Sequence, residues 1–262
     1  MKIKAKKSLG QNFLIDNNII KKITDVTNIL DNEILEVGPG SGNLTEQILK
    51  KKPKKFFVIE KDKDLCTILR NKFINRIEII NKDILEVNEN LISKNKLIVF
   101  GNLPYNISTE IICNWIINLK NETWFNELIL MFQKEVADRI IAQSNTSTFG
   151  RLSVLSQWRL NVKKILDISP NSFSPRPKID SSLLLFFPKE KYFKINSAKN
   201  LEKITRVFFN QRRKMIKNPL KKLFKDYNEI SDRLNIDLKQ RPQNLSIETY
   251  LKITEEYEKL RS

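Results

Sequence analysis

A glycine-rich turn constrains this chain more than any other feature. Gly38, Gly40 and Gly42 lie within five residues and make up half of the six glycines in the sequence. The segment before them, residues 33–37, is mostly apolar and compatible with a β-strand, whereas residues 43–49 carry leucine and isoleucine at helical spacing. A strand that breaks into such a turn and opens a helix lets a ligand approach bare backbone and the helix N-terminus. The turn therefore predicts a nucleotide-like binding site.

The spacing G-x-G-x-G differs from both the dinucleotide-binding and the P-loop patterns, so the turn alone could be a simple strand–helix connection. The next two strands favour a binding site. Residues 56–59 run into Glu60, where a carboxylate can accept hydrogen bonds from two ribose hydroxyls. Residues 77–80 run on to Asp83, which could read an adenine amino group. Together these acids indicate an S-adenosylmethionine pocket rather than a dinucleotide pocket.

Strands and helices alternate through the first part of the sequence. Strands are expected at 33–37, 56–59, 77–80, 97–100, 128–132, 161–168 and 183–187, with helices at 43–51, 62–71, 87–92, 108–119, 133–139 and 151–160. This order predicts an α/β fold with a mostly parallel, doubly wound sheet whose ligands bind at the carboxyl edge of the strands. From about residue 196 the pattern is helical. We therefore predict a Rossmann-like catalytic domain over 1–190 and a small, basic helical domain over 191–262.

A second chemical centre follows the fourth strand, in the run Asn102-Leu103-Pro104-Tyr105. Pro104 fixes the backbone direction and biases Leu103 towards an extended conformation, so the Leu103 carbonyl can face the pocket. That carbonyl and the Asn102 side-chain oxygen can accept hydrogen bonds from one exocyclic amine, while Tyr105 offers a face for base stacking. Two acceptors on an adenine N6 favour its attack on a methyl sulfonium by direct displacement. The alternative is a strand-ending turn with a buried tyrosine.

Phe173 lies in a stiff, basic, proline-broken loop at residues 172–178. Its ring could form the opposite wall of a base-stacking site. It could equally be a loop aromatic that packs on the core, and the sequence leaves both interpretations open.

Composition limits the chemistry further. The chain has no histidine, which excludes a histidine general base, a histidine-containing triad and the usual zinc sites, so no metal is expected. Its two cysteines, Cys66 and Cys113, are far apart in apolar helical patterns and are expected to be buried thiols. The formal net charge of +17 indicates a polyanionic partner, with nucleic acid favoured over a membrane surface.

Part of that charge is concentrated between residues 206 and 225, where eight basic residues occur without an acid. We expect this helical module to hold folded RNA by its phosphates, although a solvated charged face is the alternative. The candidate RNA-binding residues are Arg212, Arg213, Lys214, Lys217 and Lys221.

No apolar run approaches the roughly 20 residues needed to span a bilayer, and residues 1–7 are too short and too polar for a signal peptide. We therefore expect a soluble, cytoplasmic protein without a membrane partner.

Over nearly its full length the chain resembles the KsgA family of rRNA adenine N6,N6-dimethyltransferases. The resemblance rests on residues 11–14, 36–40, 60, 83, 100–108, 174–181 and 211–214. It implies that S-adenosylmethionine contacts Asn12, Leu14, Gly38, Glu60, Asp83 and Asn102, with Gly40 in the same turn. It also implies that Asn102, Leu103, Pro104 and Tyr105 hold the target adenine, with Phe173 as a stacking partner.

The resemblance also implies a substrate, namely two adjacent adenines in the last hairpin loop of 16S rRNA on an assembling 30S subunit. We expect the enzyme to act as a monomer. Two related classes compete: Erm-type enzymes, which methylate one adenine of large-subunit rRNA, and mitochondrial transcription-factor-B proteins, which bind a polymerase. Leu103 and the Gln-Arg-Arg-Lys run at 211–214 argue against the first class, and the intact pocket residues argue against the second.

Overall fold

The structure is a computed structural model that describes residues 5–6, 9–119 and 122–261. The chain divides into two compact units. The first comprises Met1–Ile111, Leu119–Ala137 and Lys163–Pro188, and the second comprises Ile112–Asn118, Asp138–Val162 and Lys189–Ser262. Most of segment 1–7, which we expect to be too short and too polar for a signal peptide, lies outside the described residues.

A seven-stranded sheet forms the centre of the first unit. Its strands are β2 (Glu33–Val37), β3 (Lys55–Ile59), β4 (Glu78–Ile80), β5 (Leu97–Asn102), β6 (Phe125–Gln133), β7 (Leu160–Ile168) and β9 (Ser181–Pro188), in the order β4-β3-β2-β5-β6-β9-β7. The pairs β4–β3, β3–β2, β2–β5 and β5–β6 are parallel, whereas β6–β9 is antiparallel. The predicted mostly parallel α/β sheet is therefore confirmed.

Five helices accompany these strands along the chain: α1 (Asn17–Thr24), α2 (Asn43–Lys50), α3 (Lys63–Lys72), α4 (Ser108–Ile117) and α5 (Lys134–Ile141). Helix α1 begins after Asp16, whose side chain accepts hydrogen bonds from the backbone of Asn18 and Ile19 and so caps two free N–H groups. The short helix expected near 87–92 is shorter than predicted and of the 3₁₀ type. Two short 3₁₀ turns, Ile84–Glu86 and Glu89–Leu91, occupy that region, because Asp83 and Asn88 each cap a separate turn.

The parallel strands are covered on both faces, as their nearly continuous apolar sequences require. All five residues of β2 are buried, and so are four of the five residues of β3. The resulting core joins the sheet to α1 and α2 through side chains such as Ile23, Ile48 and Val58. This packing fixes the carboxyl ends of the central strands, where the site lies.

The sequence did not predict a second, two-stranded sheet. Strand β1 (Phe13–Leu14) pairs antiparallel with β8 (Phe173–Ser174), and Leu14 lies opposite Phe173. Two-residue strands carry no periodicity, so only the three-dimensional fold reveals them. This pairing holds the N-terminal segment beside the β7–β9 connection.

The second unit contains the helices α6 (Arg151–Arg159), α7 (Ala198–Phe209), α8 (Lys217–Leu223), α9 (Tyr227–Arg233) and α10 (Ile247–Lys259). Helices α7 and α10 pack through aromatic side chains, and the rings of Phe208 and Phe209 lie 5.4 and 5.5 Å from that of Tyr250. Ser246 caps α10, since its hydroxyl accepts a hydrogen bond from the Thr249 backbone at 3.0 Å. The predicted C-terminal helices are thus present.

No helix in the described residues is long and apolar enough to cross a membrane. Both cysteines are free thiols; Cys66 is buried as expected, while Cys113 is only partly buried.

Candidate active site

A cavity opens at the carboxyl edge of β2, β3 and β5, within the first unit. Its lining residues are 9–14, 36–41, 43–44, 59–61, 65, 82–85, 102–107 and 131. Parallel sheets of this type place ligands at this edge. All the cofactor-binding residues predicted from the sequence line the cavity, and so does the run Asn102 to Tyr105.

The turn after β2 requires glycine on steric grounds. Gly40 has a φ of 56°, in the left-handed region that favours glycine, and a Cβ there would lie 2.7 Å from Cδ1 of Phe13. The backbone of the turn is therefore bare against the cavity, and the next residues begin α2. The Phe13 ring, which closes over Gly40, belongs to the N-terminal segment.

Glu60 is buried beside this turn with its side chain only 7% exposed. Its carboxylate accepts hydrogen bonds from the backbone N–H groups of Gly40 at 3.3 Å and Asp62 at 2.8 Å. Burial raises the pKa of Glu60, and the two N–H groups partly offset that effect. The fixed carboxylate can accept further hydrogen bonds from hydroxyl groups in the cavity.

Glu36 is a second buried acid in the cavity wall, and sequence reasoning did not assign it a role. Its side chain is 1% exposed, and Oε2 accepts a hydrogen bond from the Thr45 hydroxyl at 2.6 Å. Burial raises its pKa to about 8. Glu36 therefore carries a proton at neutral pH. Its position on a strand next to the turn was visible in the sequence, but its burial and its pKa were not.

Asp83 follows β4 and also lines the cavity. Its Oδ1 accepts a hydrogen bond from the Leu85 backbone at 3.1 Å, and its Oδ2 lies 2.7 Å from the Lys61 ammonium group. The hydrogen bond with Lys61 lowers the pKa of Asp83. Asp83 is therefore a carboxylate at neutral pH, and both of its oxygens can accept hydrogen bonds. Sequence reasoning missed the part played by Lys61.

Asn102 ends β5 and connects the two halves of the cavity. Its Nδ2 donates a hydrogen bond to the Asn12 carbonyl at 2.8 Å. Because the amide nitrogen is the donor, the side-chain oxygen remains an acceptor, and no donor from the described residues occupies it. The neighbouring Leu103 side chain is buried, with 1% exposed, and so anchors the backbone of the turn.

Tyr105 lines the cavity two residues further on. Its hydroxyl oxygen lies 2.6 Å from the Ser181 hydroxyl, at the start of β9. Burial raises the pKa of Tyr105, so the phenol remains neutral. The hydrogen bond holds the ring at its polar tip and leaves the rest of the ring available for stacking.

Phe173 does not line the cavity. Its side chain is 3% exposed and belongs to the core cluster that includes Leu14, Ile168 and Leu183. Of the two interpretations that the sequence left open, this position corresponds to the ring packed on the core.

The N-terminal segment forms one wall of the cavity and is tied down by polar contacts. Asn43 donates a hydrogen bond to the Leu14 carbonyl at 2.8 Å, and Gln11 donates to Asp62 at 3.1 Å. Lys6 pairs with Asp62 at 2.7 Å. These contacts place Asn12 and Leu14 at the cavity, which periodicity alone could not show.

The basic residues expected to bind RNA belong to the second unit. Arg213, Lys214, Lys217 and Lys221 are exposed, whereas Arg212 is partly buried and its guanidinium donates a hydrogen bond to the Ser147 carbonyl. The segment after α7 is also fixed by the Ile216 N–H, which donates to the Gln240 carbonyl at 2.8 Å. The cations therefore project from an ordered backbone.

The cavity residues fit S-adenosylmethionine. The glycine turn leaves room that a Cβ would fill, the buried Glu60 carboxylate suits a ribose, and the Asp83 carboxylate suits an adenine amino group. When bound, this co-substrate supplies an electrophilic methyl group on a sulfonium. Among the described residues, no three histidine, cysteine, aspartate or glutamate side chains come together as a metal site.

The sheet order and the cavity at its carboxyl edge define an S-adenosylmethionine-dependent methyltransferase. Solved structures support this class. A dimethyladenosine transferase from Plasmodium falciparum is 25% identical and superposes with a TM-score of 0.78, covering 94% of this chain and 98% of that one. The 23S rRNA methyltransferase ErmE shares the fold at 22% identity with a TM-score of 0.69, covering 94% of this chain and all of that one.

The chain belongs to the ribosomal RNA adenine dimethylase family, which it matches over residues 2–259. It is 62% identical to the ribosomal RNA small subunit methyltransferase A of Pelagibacter ubique (strain HTCC1062), over 100% of both chains. The protein is therefore an enzyme that transfers methyl groups from S-adenosylmethionine to adenines of rRNA. The family resemblance inferred from the sequence motifs is confirmed.

Proposed function

We propose that the enzyme dimethylates N6 of each of two adjacent adenines in the 3′-terminal hairpin loop of 16S rRNA. It acts as a cytoplasmic monomer on the 30S subunit during assembly. The observation that carries this proposal is the 62% identity, over both full lengths, to a protein named for methylation of small-subunit rRNA. The likeness to the 23S rRNA enzyme, at 22% identity, supports a common fold only.

The residues at the end of β5 are the proposed catalytic centre. The Asn102 side-chain oxygen and the Leu103 carbonyl accept hydrogen bonds from the two N6 hydrogens of the target adenine. These bonds draw the nitrogen lone pair out of the ring system and aim it at the methyl group. Pro104 holds the carbonyl in place, and Tyr105 stacks on the base.

In each transfer the bond from the methyl carbon to sulfur would break as the bond from that carbon to N6 forms, and N6 would then release one proton to water. After the first transfer one N6 hydrogen remains for these acceptors. No general base is needed, because a methylated N6 that still carries the extra proton is strongly acidic.

For the residues that contact S-adenosylmethionine, we propose the same roles as those predicted from the sequence. Glu60 holds the ribose hydroxyls, and Asp83 accepts a hydrogen bond from the adenine amino group of the cofactor. The backbone at Gly38 and Gly40 accommodates the cofactor without steric conflict. The wall formed by Asn12 and Leu14 completes the site together with Asn102, whose hydrogen bond to the Asn12 carbonyl supports this arrangement.

Phe173 was predicted to stack on the target base. That role requires its ring to leave the core, where its side chain is now 3% exposed. The contact with adenine stays a prediction.

Residues 191–262 are the proposed RNA- and subunit-binding domain. The exposed Arg213, Lys214, Lys217 and Lys221 would contact phosphates, while Arg212 would support the module through its hydrogen bond to Ser147. The ordered backbone supports this role, because basic side chains on a fixed backbone lose less conformational entropy on binding than those on a mobile backbone.

The proposal is tested by transfer of labelled methyl groups to three substrates: undermethylated small subunits, large subunits and naked rRNA. We expect label in small-subunit rRNA, with the large subunit unlabelled. Label mainly in the large subunit would instead assign the enzyme to the class of ErmE. Cofactor binding measured in the same preparation distinguishes a wrong substrate from an inactive enzyme.

A further inference from the structure

We propose that the amino edge of the parallel sheet is a second contact surface for the phosphate backbone of the rRNA substrate. Its six basic residues, here called the amino-edge cluster, are Lys52, Lys54, Lys55, Arg76, Lys94 and Lys96. The inference extends the proposed function, and it rests on a folded small-subunit rRNA being the substrate. These residues lie outside the basic module at 206–225.

The sheet topology brings the cluster together. Strands β4, β3, β2 and β5 are adjacent and parallel, so their amino ends share one edge. Arg76 stands two residues before β4, Lys54 immediately before β3 and Lys96 immediately before β5. Residues far apart in the sequence thus form one surface.

Backbone and side-chain contacts hold the loops of this edge in place. Glu33, at the start of β2, accepts hydrogen bonds from the Ser93 hydroxyl at 2.5 Å and the Asn95 amide at 2.8 Å. On the other side, the Lys54 N–H donates to the Asn32 carbonyl at 2.9 Å. The basic side chains therefore project from a fixed frame, and only their own freedom is lost when they bind a ligand.

The charges of the cluster are available for binding. All six side chains are exposed, and none forms an ion pair with a described residue. Lysines just outside the cluster differ, since Lys51 pairs with Asp25 and Lys50 pairs with Glu46. The acids at this edge are Asp31, Glu33 and Glu78, with Glu122 just before and Glu127 near the start of the neighbouring β6, so the six cations still outnumber them.

Beside the cavity at the carboxyl edge, two lysines are already neutralised, because Lys6 pairs with Asp62 and Lys61 pairs with Asp83. A polyanion is therefore attracted more strongly to the unpaired cations of the amino edge. Along β3, the five steps from Lys55 to Glu60 span about 16 Å at roughly 3.3 Å per residue. A large folded rRNA can place a target adenine in the cavity and further phosphates at the amino edge. A short hairpin that fills the cavity is too small to reach the amino edge as well.

The test compares the parent enzyme with the triple variant Lys54→Gln, Lys55→Gln and Lys96→Gln. Binding to 16S rRNA within small subunits is measured as a function of salt, together with methyl transfer to subunits and to a short hairpin. We expect roughly tenfold weaker subunit binding near 0.1 M salt and a salt slope shallower by about two to three. Turnover of the short hairpin should be unchanged.

Two controls separate the surface from total charge. The variant Lys54→Arg, Lys55→Arg and Lys96→Arg keeps the charges and should bind like the parent. The variant Lys21→Gln, Lys22→Gln and Arg70→Gln makes the same charge change at exposed positions of α1 and α3 in the first unit, outside both basic surfaces, and should leave the salt slope nearly intact. The proposal is overturned if the Lys54/Lys55/Lys96 glutamine variant keeps the parental slope, or if the variant on α1 and α3 loses as much. Methyl transfer by the parent enzyme tests the proposed function separately.

Discussion

The hydroxyl groups of Tyr105 and Ser181 lie 2.6 Å apart, although 76 residues separate them in the sequence. Ser181 is fully buried at the start of β9, and Tyr105 follows the turn at the end of β5. One hydrogen bond thus joins the proposed base-stacking ring to the antiparallel part of the sheet. Ser181 acts as a positioning residue for that ring.

Replacing Ser181 with alanine should therefore loosen Tyr105 without removing its stacking surface. A neutral hydrogen bond contributes about 1 kcal/mol, so kcat/KM for rRNA should fall by about fivefold. Tyr105→Phe should have a similar effect, and the double variant should be no worse than either single variant. Steady-state kinetics with fixed rRNA tests this. Additive losses would show that the two hydroxyls act independently.

Ser182→Ala is the matched control, since Ser182 is equally buried but its hydroxyl bonds to Asp167 at 2.5 Å instead. It should affect stability more than turnover. A drop in kcat/KM as large as that of Ser181→Ala would contradict a specific role for the Tyr105 contact.

Asn102→Ala should abolish methyl transfer because it removes the proposed acceptor of the adenine amine. Loss of one such group typically costs about 100-fold or more in kcat. The variant also loses the bond to the Asn12 carbonyl, so affinity for S-adenosylmethionine should fall by a smaller factor, about fivefold. Calorimetric titration of the cofactor and single-turnover transfer separate the two effects. Parental turnover in this variant would refute the assignment of Asn102.

Gly40→Ala should destabilise the folded protein more than Gly38→Ala. Both residues have positive φ, and left-handed backbone costs an alanine about 1–2 kcal/mol. At Gly38 the nearest atom to an added Cβ is 3.5 Å away, whereas at Gly40 Cδ1 of Phe13 lies at 2.7 Å. Thermal unfolding without ligand measures the difference. Equal melting temperatures would mean that the Phe13 ring moves aside freely.

Glu36→Gln should stabilise the protein increasingly as the pH rises. The folded protein keeps a proton on Glu36 up to a pKa of about 8, whereas an unfolded glutamate ionises near its ordinary value of 4.5. Between these values the folded state binds more protons, so the stability of the parent falls as pH increases. Urea unfolding at about pH 5 and about pH 8 should show the gain of the variant growing towards the higher pH.

Glu33→Gln should show the opposite dependence of stability on pH. Burial alone would raise the pKa of Glu33, but hydrogen bonds from Ser93 and Asn95, together with the nearby charges of Lys55 and Lys54, outweigh it and lower the pKa. The stabilisation by Glu33 is therefore present above its unfolded pKa and lost as pH falls. This variant should be less stable than the parent at neutral pH, and the gap should close in acid. A pH-independent effect in both variants would contradict these charge states.

Arg213→Gln combined with Lys214→Gln should weaken binding to the small subunit and make its salt slope shallower by up to about two, one for each lost phosphate contact. Both side chains are exposed, so folding should be unaffected. The matched control is Lys239→Gln with Lys252→Gln, which removes the same charge elsewhere in the second unit. Unchanged binding of the first variant would make the module an ordinary solvated surface.

Most strands and helices of the first unit could be predicted from the sequence, because hydrophobic periodicity and turn residues act within short stretches of chain. The alternation of buried strands and amphipathic helices fixes the sheet, and the glycine turn with Glu60 and Asp83 fixes the cavity edge. The pairing of β1 with β8 could not be predicted in this way, since a two-residue strand has no period. That pairing also places Phe173 in the core.

Contacts between distant residues were likewise beyond the sequence patterns. The bonds of Asn102 to Asn12 and of Tyr105 to Ser181 join segments that only the fold brings together. The raised pKa of Glu36 depends on its complete burial, which its place in an apolar strand does not reveal. Sequence motifs thus identified the candidate site residues, whereas the charge states of these residues and the hydrogen bonds that hold them depend on the packing of the fold.

We propose that the cavity at the end of β5 dimethylates adenine N6 in the terminal hairpin of small-subunit rRNA. Mass-spectrometric mapping of methylated nucleotides tests this directly, after incubation of undermethylated small subunits with enzyme and S-adenosylmethionine. We expect two adjacent N6,N6-dimethyladenines in that hairpin, and none with Asn102→Ala. Modification at any other position, or the same products from the Asn102 variant, would contradict it.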